Sequence, residues 1–246
     1  MYGKRIRFDR LLHGDKMLCV PLDHGVTNCD IANLSDFRNT VSQIVDNGAS
    51  SIIVHKGLVR FLPQLKNTGL IVHLSASTEN YKPVKKIIVC EVEEAVLLGA
   101  DAVSIHVNLG NEFEKHMLSD FARISSDCQK YGMPLLAMMY NRNNDNTDIG
   151  NTEKEKHSIR IAAEMGADIV KIGSNWSLDN LKVILKDALI PIVIAGGDML
   201  DREKLFALTK NLMGSGILGI SFGRNVFMSK NIADTMRNLS SIIYNY

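Results

Sequence analysis

The sequence predicts an α/β fold, a single (β/α)₈ TIM barrel over residues 1–246, and three observations carry that reading. Eight short apolar runs recur along the chain, each followed by a segment with helical spacing. The repeating unit of about 25–30 residues fits eight times into a barrel-sized chain. No linker and no shift in composition interrupts the alternation. A doubly wound open sheet is the main rival, and the number of units favours closure. In either fold the functional residues belong beyond the C-terminal strand ends.

Residues 1–16 are polar and basic and read as a short helix or cap. The first strand is the run Met17–Leu18–Cys19–Val20–Pro21–Leu22, which ends in Asp23–His24–Gly25. Phe37, Val41, Ile44 and Val45 recur at helical spacing and stop at Gly48. The second strand is 51–54, ending in His55–Lys56–Gly57, and the third is 70–74, ending in Ser75. A longer connection over 77–90 holds Pro83 and Lys85–Lys86. A helix over 91–98 is capped by Gly99, and the fourth strand, 102–106, ends in His106. After a helix over 112–131 comes the fifth strand, 134–139, ending in Tyr140. Residues 141–151 are polar, Asn-rich and aperiodic, and read as a mobile loop. A helix over 152–165 leads to the sixth strand, Asp168–Ile169–Val170–Lys171–Ile172. A helix over 178–187, a strand over 191–195 ending in Gly196–Gly197–Asp198, and a helix over 201–213 follow. The eighth strand, 217–221, runs into Phe222–Gly223–Arg224–Asn225, and a final helix closes the chain.

Composition bounds the function. A net charge of +1 gives no electrostatic case for nucleic acid or an anionic membrane. The four cysteines, Cys19, Cys29, Cys90 and Cys128, include no closely spaced pair, which leaves zinc and redox motifs unsupported and fits a reducing cytoplasm. No signal-peptide pattern opens the chain, and no apolar run approaches the roughly 20 residues that span a bilayer.

Three groups of residues carry chemistry. Lys171 sits at the end of an apolar strand, where a buried lysine whose pKa falls can form a Schiff base with a carbonyl, and the rival reading is a lysine that points past the strand end into solvent or pairs with an acid. A barrel would bring Tyr140 and Asp23 to the same mouth as acid–base partners, although each could equally be a satisfied ring or a loop cap. Gly196–Gly197 and Gly223–Arg224 follow the seventh and eighth strands, where such barrels often bind phosphate through backbone N–H groups. His24, His55, His73 and His106 lie on four different strands without carboxylate partners at a metal-binding spacing, and His73 reads as a satisfied core residue. Met138, Met139 and Trp176 read as packing residues or pocket walls.

Several segments are familiar in their order. They are Leu22–Asp23–His24–Gly25–Val26–Thr27–Asn28, His55–Lys56–Gly57, Gly69–Leu70–Ile71–Val72–His73–Leu74–Ser75–Ala76–Ser77–Thr78, and Ala102–Val103–Ser104–Ile105–His106–Val107–Asn108. With them go Leu136–Ala137–Met138–Met139–Tyr140, Asp168–Ile169–Val170–Lys171, Ile194–Ala195–Gly196–Gly197 and Gly223–Arg224–Asn225. Together they resemble the archaeal-type class I aldolase family over nearly the whole chain. That family holds fructose-bisphosphate aldolases and 2-amino-3,7-dideoxy-D-threo-hept-6-ulosonate synthases. Among the segments, His55–Gly57, Ser75–Thr78, Ser104–Asn108 and Ala137–Tyr140 look more like the synthases and their aminohydroxybenzoate-pathway relatives than like the sugar bisphosphate aldolases.

The resemblance implies a Schiff-base aldolase without metal or other cofactor. Lys171 would form the imine, Tyr140 would donate a proton and Asp23 would accept one. Asp23, His24, Gly25, Val26 and Thr27, then Tyr140, Asn141 and Arg142, then Gly196, Gly197, Gly223 and Arg224, would bind the phosphorylated ketose. The acceptor aldehyde would be L-aspartate 4-semialdehyde, and the donor dihydroxyacetone phosphate or a deoxy-diulose phosphate. Members of the family are often homo-oligomers, decamers among them. A fructose-bisphosphate aldolase and a catalytically silent sugar-phosphate-binding barrel are the alternatives. Against the family pattern, Asn141 replaces Pro, Asn143 replaces Gly, Ile172 replaces a polar residue, Asp198 replaces Pro, Met228 replaces Gln, and Cys29 replaces Gly. Asp198 would place a negative charge beside the phosphate.

Overall fold

The computed structural model describes residues 1–27, 35–80, 83–174 and 176–245. Eight parallel strands close into a barrel in the order β1-β10-β9-β8-β7-β6-β3-β2. They are β1 (Met17–Pro21), β2 (Ser51–Val54), β3 (Gly69–His73), β6 (Ala102–Leu109), β7 (Leu135–Asn141), β8 (Ile169–Ile172), β9 (Ile192–Ala195) and β10 (Gly219–Ser221). The remaining two, β4 (Ser75–Ala76) and β5 (Ile87–Ile88), form an antiparallel hairpin that rises from the end of β3. This hairpin lies inside the stretch read only as a long connection. Two-residue strands carry too short an alternation to stand out in a sequence.

The helices run outside the barrel. They are α1 (Tyr2–Asp9), α2 (Phe37–Val45), α3 (Val92–Leu97), α4 (Glu114–Tyr131), α5 (Thr152–Glu164), α6 (Leu178–Lys186), α7 (Arg202–Met213), α8 (Arg224–Phe227) and α9 (Ile232–Ile243). Asn151, Ser177, Asp201 and Asn231 each accept a backbone N–H at a helix start, which satisfies donors that would otherwise be orphaned. Among the described residues, no helix is long and apolar enough to cross a membrane.

Two apolar layers follow from strand pleating, because alternate residues point to opposite faces. Leu18, Val20, Val103, Ile105, Val170 and Ile172 point outward and pack beneath the helices. Met17, Cys19, Ile53, Ile71, Ala102, Leu136, Met138, Ile169 and Val193 point inward and fill the barrel. The register places Lys171 level with Met138 on one side and Val193 on the other. Lys171 is two residues beyond Ile169, so it belongs to the inner set, and only 6% of its surface is exposed. Ile172 belongs to the outer set, so its departure from a polar residue changes helix packing and not the barrel interior.

Residues 141–151, which read as a mobile loop, contain a hydrogen-bonded turn. Arg142 bridges to Asp148, and Asn143 Oδ1 accepts from the backbone of Asp145 and Thr147. The Asn-rich composition that looked aperiodic supplies the turn's own acceptors. Asn28 and Cys29 lie outside the described residues.

Candidate active site

The barrel mouth opens into a cavity of about 520 Å³ at the C-terminal strand ends. Its wall holds Asp23, His24 and Thr27 after β1, Tyr140 and Arg142 at the end of β7, and Lys171 on β8. Gly196 and Gly197 after β9, and Gly223 and Arg224 after β10, complete the side next to β8. The residues expected at the site from five different strand ends therefore meet in one space. Gly25 and Val26 stand in a short 3-10 turn and do not line it. Lys56 also turns away and pairs with Glu94 at 3.0 Å.

Asn141 is the main exception among the expected binding residues. Its side chain is buried and points away from the cavity, donating to Glu155 Oε2 and Ser158 Oγ, each at 3.0 Å. Strand parity explains this: Tyr140 faces inward, so the next residue must face the helices. The substitution of the family's Pro by Asn is thus a contact between β7 and α5.

Asp23 lies at the centre of the charged cluster. Its Oδ1 is 3.6 Å from His24 Nδ1, and its Oδ2 is 3.8 Å from His73 Nε2. Burial by itself would raise its pKa, but His73, His24, Lys171 and His55 outweigh it and hold the carboxyl well below the usual range. His73 is buried and hydrogen-bonds through Nδ1 to Ser104 Oγ at 2.8 Å. Burial pushes its pKa down to about 4 despite the attraction of Asp23, so it is a neutral ring at neutral pH. The reading of His73 as a satisfied core residue covers only half of its position, since its other nitrogen faces Asp23. Among the described residues, no group of three or more His, Cys, Asp or Glu side chains is placed to hold a metal ion.

Tyr140 stands one inward position above Met138, the register partner of Lys171. Its ring packs on His106 with centroids 4.9 Å apart, and the Arg142 guanidinium lies 5.9 Å from the ring centre. Lys171 forms no ion pair with any described Asp or Glu, so its amine faces the cavity rather than a carboxylate.

The two glycine loops are tightly built. Gly197 has φ +62°, and a Cβ there would collide with Ser174 Oγ. A Cβ on Gly223 would sit 2.7 Å from His24 Cε1 and 2.9 Å from the Pro21 carbonyl. Arg224 donates to the Gly197 carbonyl at 2.8 Å, and Asn225 donates to the carbonyls of Gly196 and Asp198 at 3.1 and 3.0 Å. The loops after β9 and β10 are therefore one unit. Asp198 is almost fully exposed, with its carboxylate 3.6 Å from Arg224.

Sequence reasoning passed over Lys86, Asn108, Ser174, Asn146 and Asp148, all of which line the cavity. For Lys86 a signal existed: it directly precedes the apolar run Ile87–Ile88–Val89.

Comparison with known proteins fits this geometry. A model of the DeoC/LacD family aldolases matches residues 17–229. The chain belongs to that aldolase family. The aldolase is 34% identical over 250 residues to the 2-amino-4,5-dihydroxy-6-oxo-7-(phosphonooxy)heptanoate synthase of Streptomyces griseus, covering 99% of this chain and 91% of that one. It is 36% identical over 247 residues to 2-amino-3,7-dideoxy-D-threo-hept-6-ulosonate synthase 1 of Archaeoglobus fulgidus, covering 99% and 92%. Among solved structures, an archaeal fructose-1,6-bisphosphate aldolase with its catalytic Lys covalently bound to the carbinolamine intermediate superposes with a TM-score of 0.89. That match is 26% identical and covers 98% of this chain and 99% of the other.

Proposed function

We propose that this aldolase condenses a ketose phosphate, held as an imine on Lys171, with L-aspartate 4-semialdehyde to give a seven-carbon amino keto acid. The observation that carries the reading is the buried amine of Lys171, aimed into the cavity without a carboxylate partner among the described residues. The chemistry follows from the walls. Lys171 Nζ adds to the donor carbonyl, water leaves, and the imine withdraws electrons from the adjacent carbon. Asp23, held ionised, accepts the proton lost from that carbon, and the resulting enamine attacks the aldehyde. Tyr140 donates the proton that the new alkoxide takes. Water then hydrolyses the imine, freeing product and lysine, so the water expelled at the start is returned.

The phosphate is assigned to the loops of Gly196–Gly197 and Gly223–Arg224. Glycine lets the backbone approach an anion closely, and Arg224 adds a forked cation. Dihydroxyacetone phosphate is the preferred donor. It supplies the 6-oxo-7-phosphonooxy end in the product named for the Streptomyces relative. A homo-oligomeric assembly is part of the same proposal, and light scattering tests it.

Borohydride trapping with dihydroxyacetone phosphate, read by intact mass and peptide mapping, tests the mechanism. A stable adduct on Lys171 that is consumed when the semialdehyde is added first is the expected result. An adduct with a deoxy-diulose phosphate alone would change the donor, and no adduct with either would overturn the proposal. Efficient cleavage of fructose 1,6-bisphosphate would replace the acceptor.

A further inference from the structure

The cavity has two cationic sides. The loops after β9 and β10 form one, with Arg224. Across the closed ring from them lie β3 and β6, and here the β4–β5 hairpin sends Lys86 into the cavity. The hairpin is pinned to β6 by side chains. The His106 backbone N–H donates to Ser75 Oγ at 3.1 Å, and Asn108 Nδ2 donates to the Val84 carbonyl at 2.7 Å. Asn108 Oδ1 is also 3.0 Å from His106 Nε2. These bonds place Lys86 on a fixed support rather than on a free loop.

Lys86 is half-buried, and Ser77 Oγ accepts a hydrogen bond from its Nζ. Among the described residues no Asp or Glu forms an ion pair with it. Burial lowers its pKa to about 8, opposed by the field of Asp23 and reinforced by Arg142, so it carries its charge at neutral pH. A partly desolvated ammonium whose hydrogen-bond partner among the described residues is a neutral hydroxyl is suited to receive an anion. Arg142 also lines this cavity, where it donates to the Asn146 carbonyl at 3.3 Å and lies 3.9 Å from Asp148.

We propose that Lys86 binds the carboxylate of the acceptor aldehyde and makes the aldolase selective for aldehydes that carry an acid group at the far end. The inference rests on the condensation proposed above. The products named for both synthase relatives are carboxylates, a heptanoate and an ulosonate, so this pole is needed with either donor. In the phosphorylated product the two anions stand at opposite ends of the chain. They match Arg224 on one side and Lys86 on the other, with Lys171 on β8 between.

The experiment compares succinate semialdehyde with butanal, two four-carbon aldehydes that differ in the carboxylate, in the presence of the donor. The protein as it stands should prefer the acid by at least about tenfold in kcat/KM, and equal values would overturn the proposal. Lys86→Met should collapse that ratio by about 10- to 100-fold, mostly through KM of the acid, as expected for losing a charge-assisted hydrogen bond. Lys86→Arg should keep most of the preference. A Lys86→Met enzyme with the ratio intact, or a Lys86→Arg enzyme as impaired as the Met variant, would also overturn it. Should Lys86→Met not fold, Lys86→Gln carries the same comparison. Borohydride trapping of the donor on Lys171 runs beside each assay. Its failure in the unaltered protein refutes the condensation itself, whereas a trapped donor with an unchanged ratio refutes only the role of Lys86.

Discussion

Asp23, just after β1, and Glu155, on the helix that follows β7, are both largely buried carboxyls on opposite sides of the closed ring, and they titrate in opposite directions. Glu155 is 3% exposed, and burial raises its pKa to about 7, with the hydrogen bond from Asn141 opposing the shift and Asp148 adding to it. Its Oε1 is buried without a hydrogen-bond partner among the described residues. Asp23 is also desolvated, but the charges of His73, His24 and Lys171 outweigh burial and its carboxyl falls below the usual range. Burial is thus common to the two sites, and the neighbours decide the sign. The cavity holds one carboxyl in its ionised form, while a helix outside the barrel holds a carboxyl that is half-protonated near neutral pH.

Four experiments would break or sharpen that contrast. Lys171→Ala removes one of the charges that lower the pKa of Asp23 and should lower kcat/KM by about four to six orders of magnitude, with the circular dichroism spectrum retained. A fully active variant would refute the imine. Asp23→Asn should lower kcat by about 10²- to 10⁴-fold through loss of the proton acceptor. It also removes the field that raises His73, so the pKa of that imidazole should fall further by NMR, and an unchanged His73 would mean that the pair is not coupled.

The third concerns stability. The folded pKa of Glu155 lies above its ordinary value of 4.5, so the native state holds the proton more tightly than the unfolded chain. Stability is therefore greatest below that ordinary value and falls as pH rises through about 7, by about 3 kcal/mol in all. Glu155→Gln should abolish this decline, seen as a flat Tm between acid and alkaline buffers, and a persisting slope would place the titration elsewhere. Asp23 has the opposite sign, because its stabilisation is lost only under acid well below the ordinary carboxylate range. The smallest effect is expected at Asp198. Removing this exposed charge from beside Arg224 with Asp198→Asn should lower KM for the donor phosphate by about two- to fivefold, readily tested at low ionic strength.

The sheet was legible because eight apolar runs, each closed by a polar or glycine-rich end, can be counted without knowing how they pack. The β4–β5 hairpin was not, because it has two residues per strand. That Lys171 and the glycine loops gather at the barrel mouth was also legible, since strand ends are where a barrel places its chemistry. The same reasoning misplaced Asn141 and passed over Lys86. Asn141 adjoins Tyr140 in the chain yet turns to Glu155, while Lys86 joins the cavity only because the hairpin folds back over β6.

Strand content, order and the chemistry available at each strand end were properties of the local sequence. Which side chains entered the cavity was decided by closure. A parallel strand buried on both faces reads as continuous apolar sequence, as Ile169, Val170 and Ile172 do around Lys171, so its pattern does not say which parity points inward. Only the register with β7 and β9 assigns Lys171 to the interior and Ile172 to the helices.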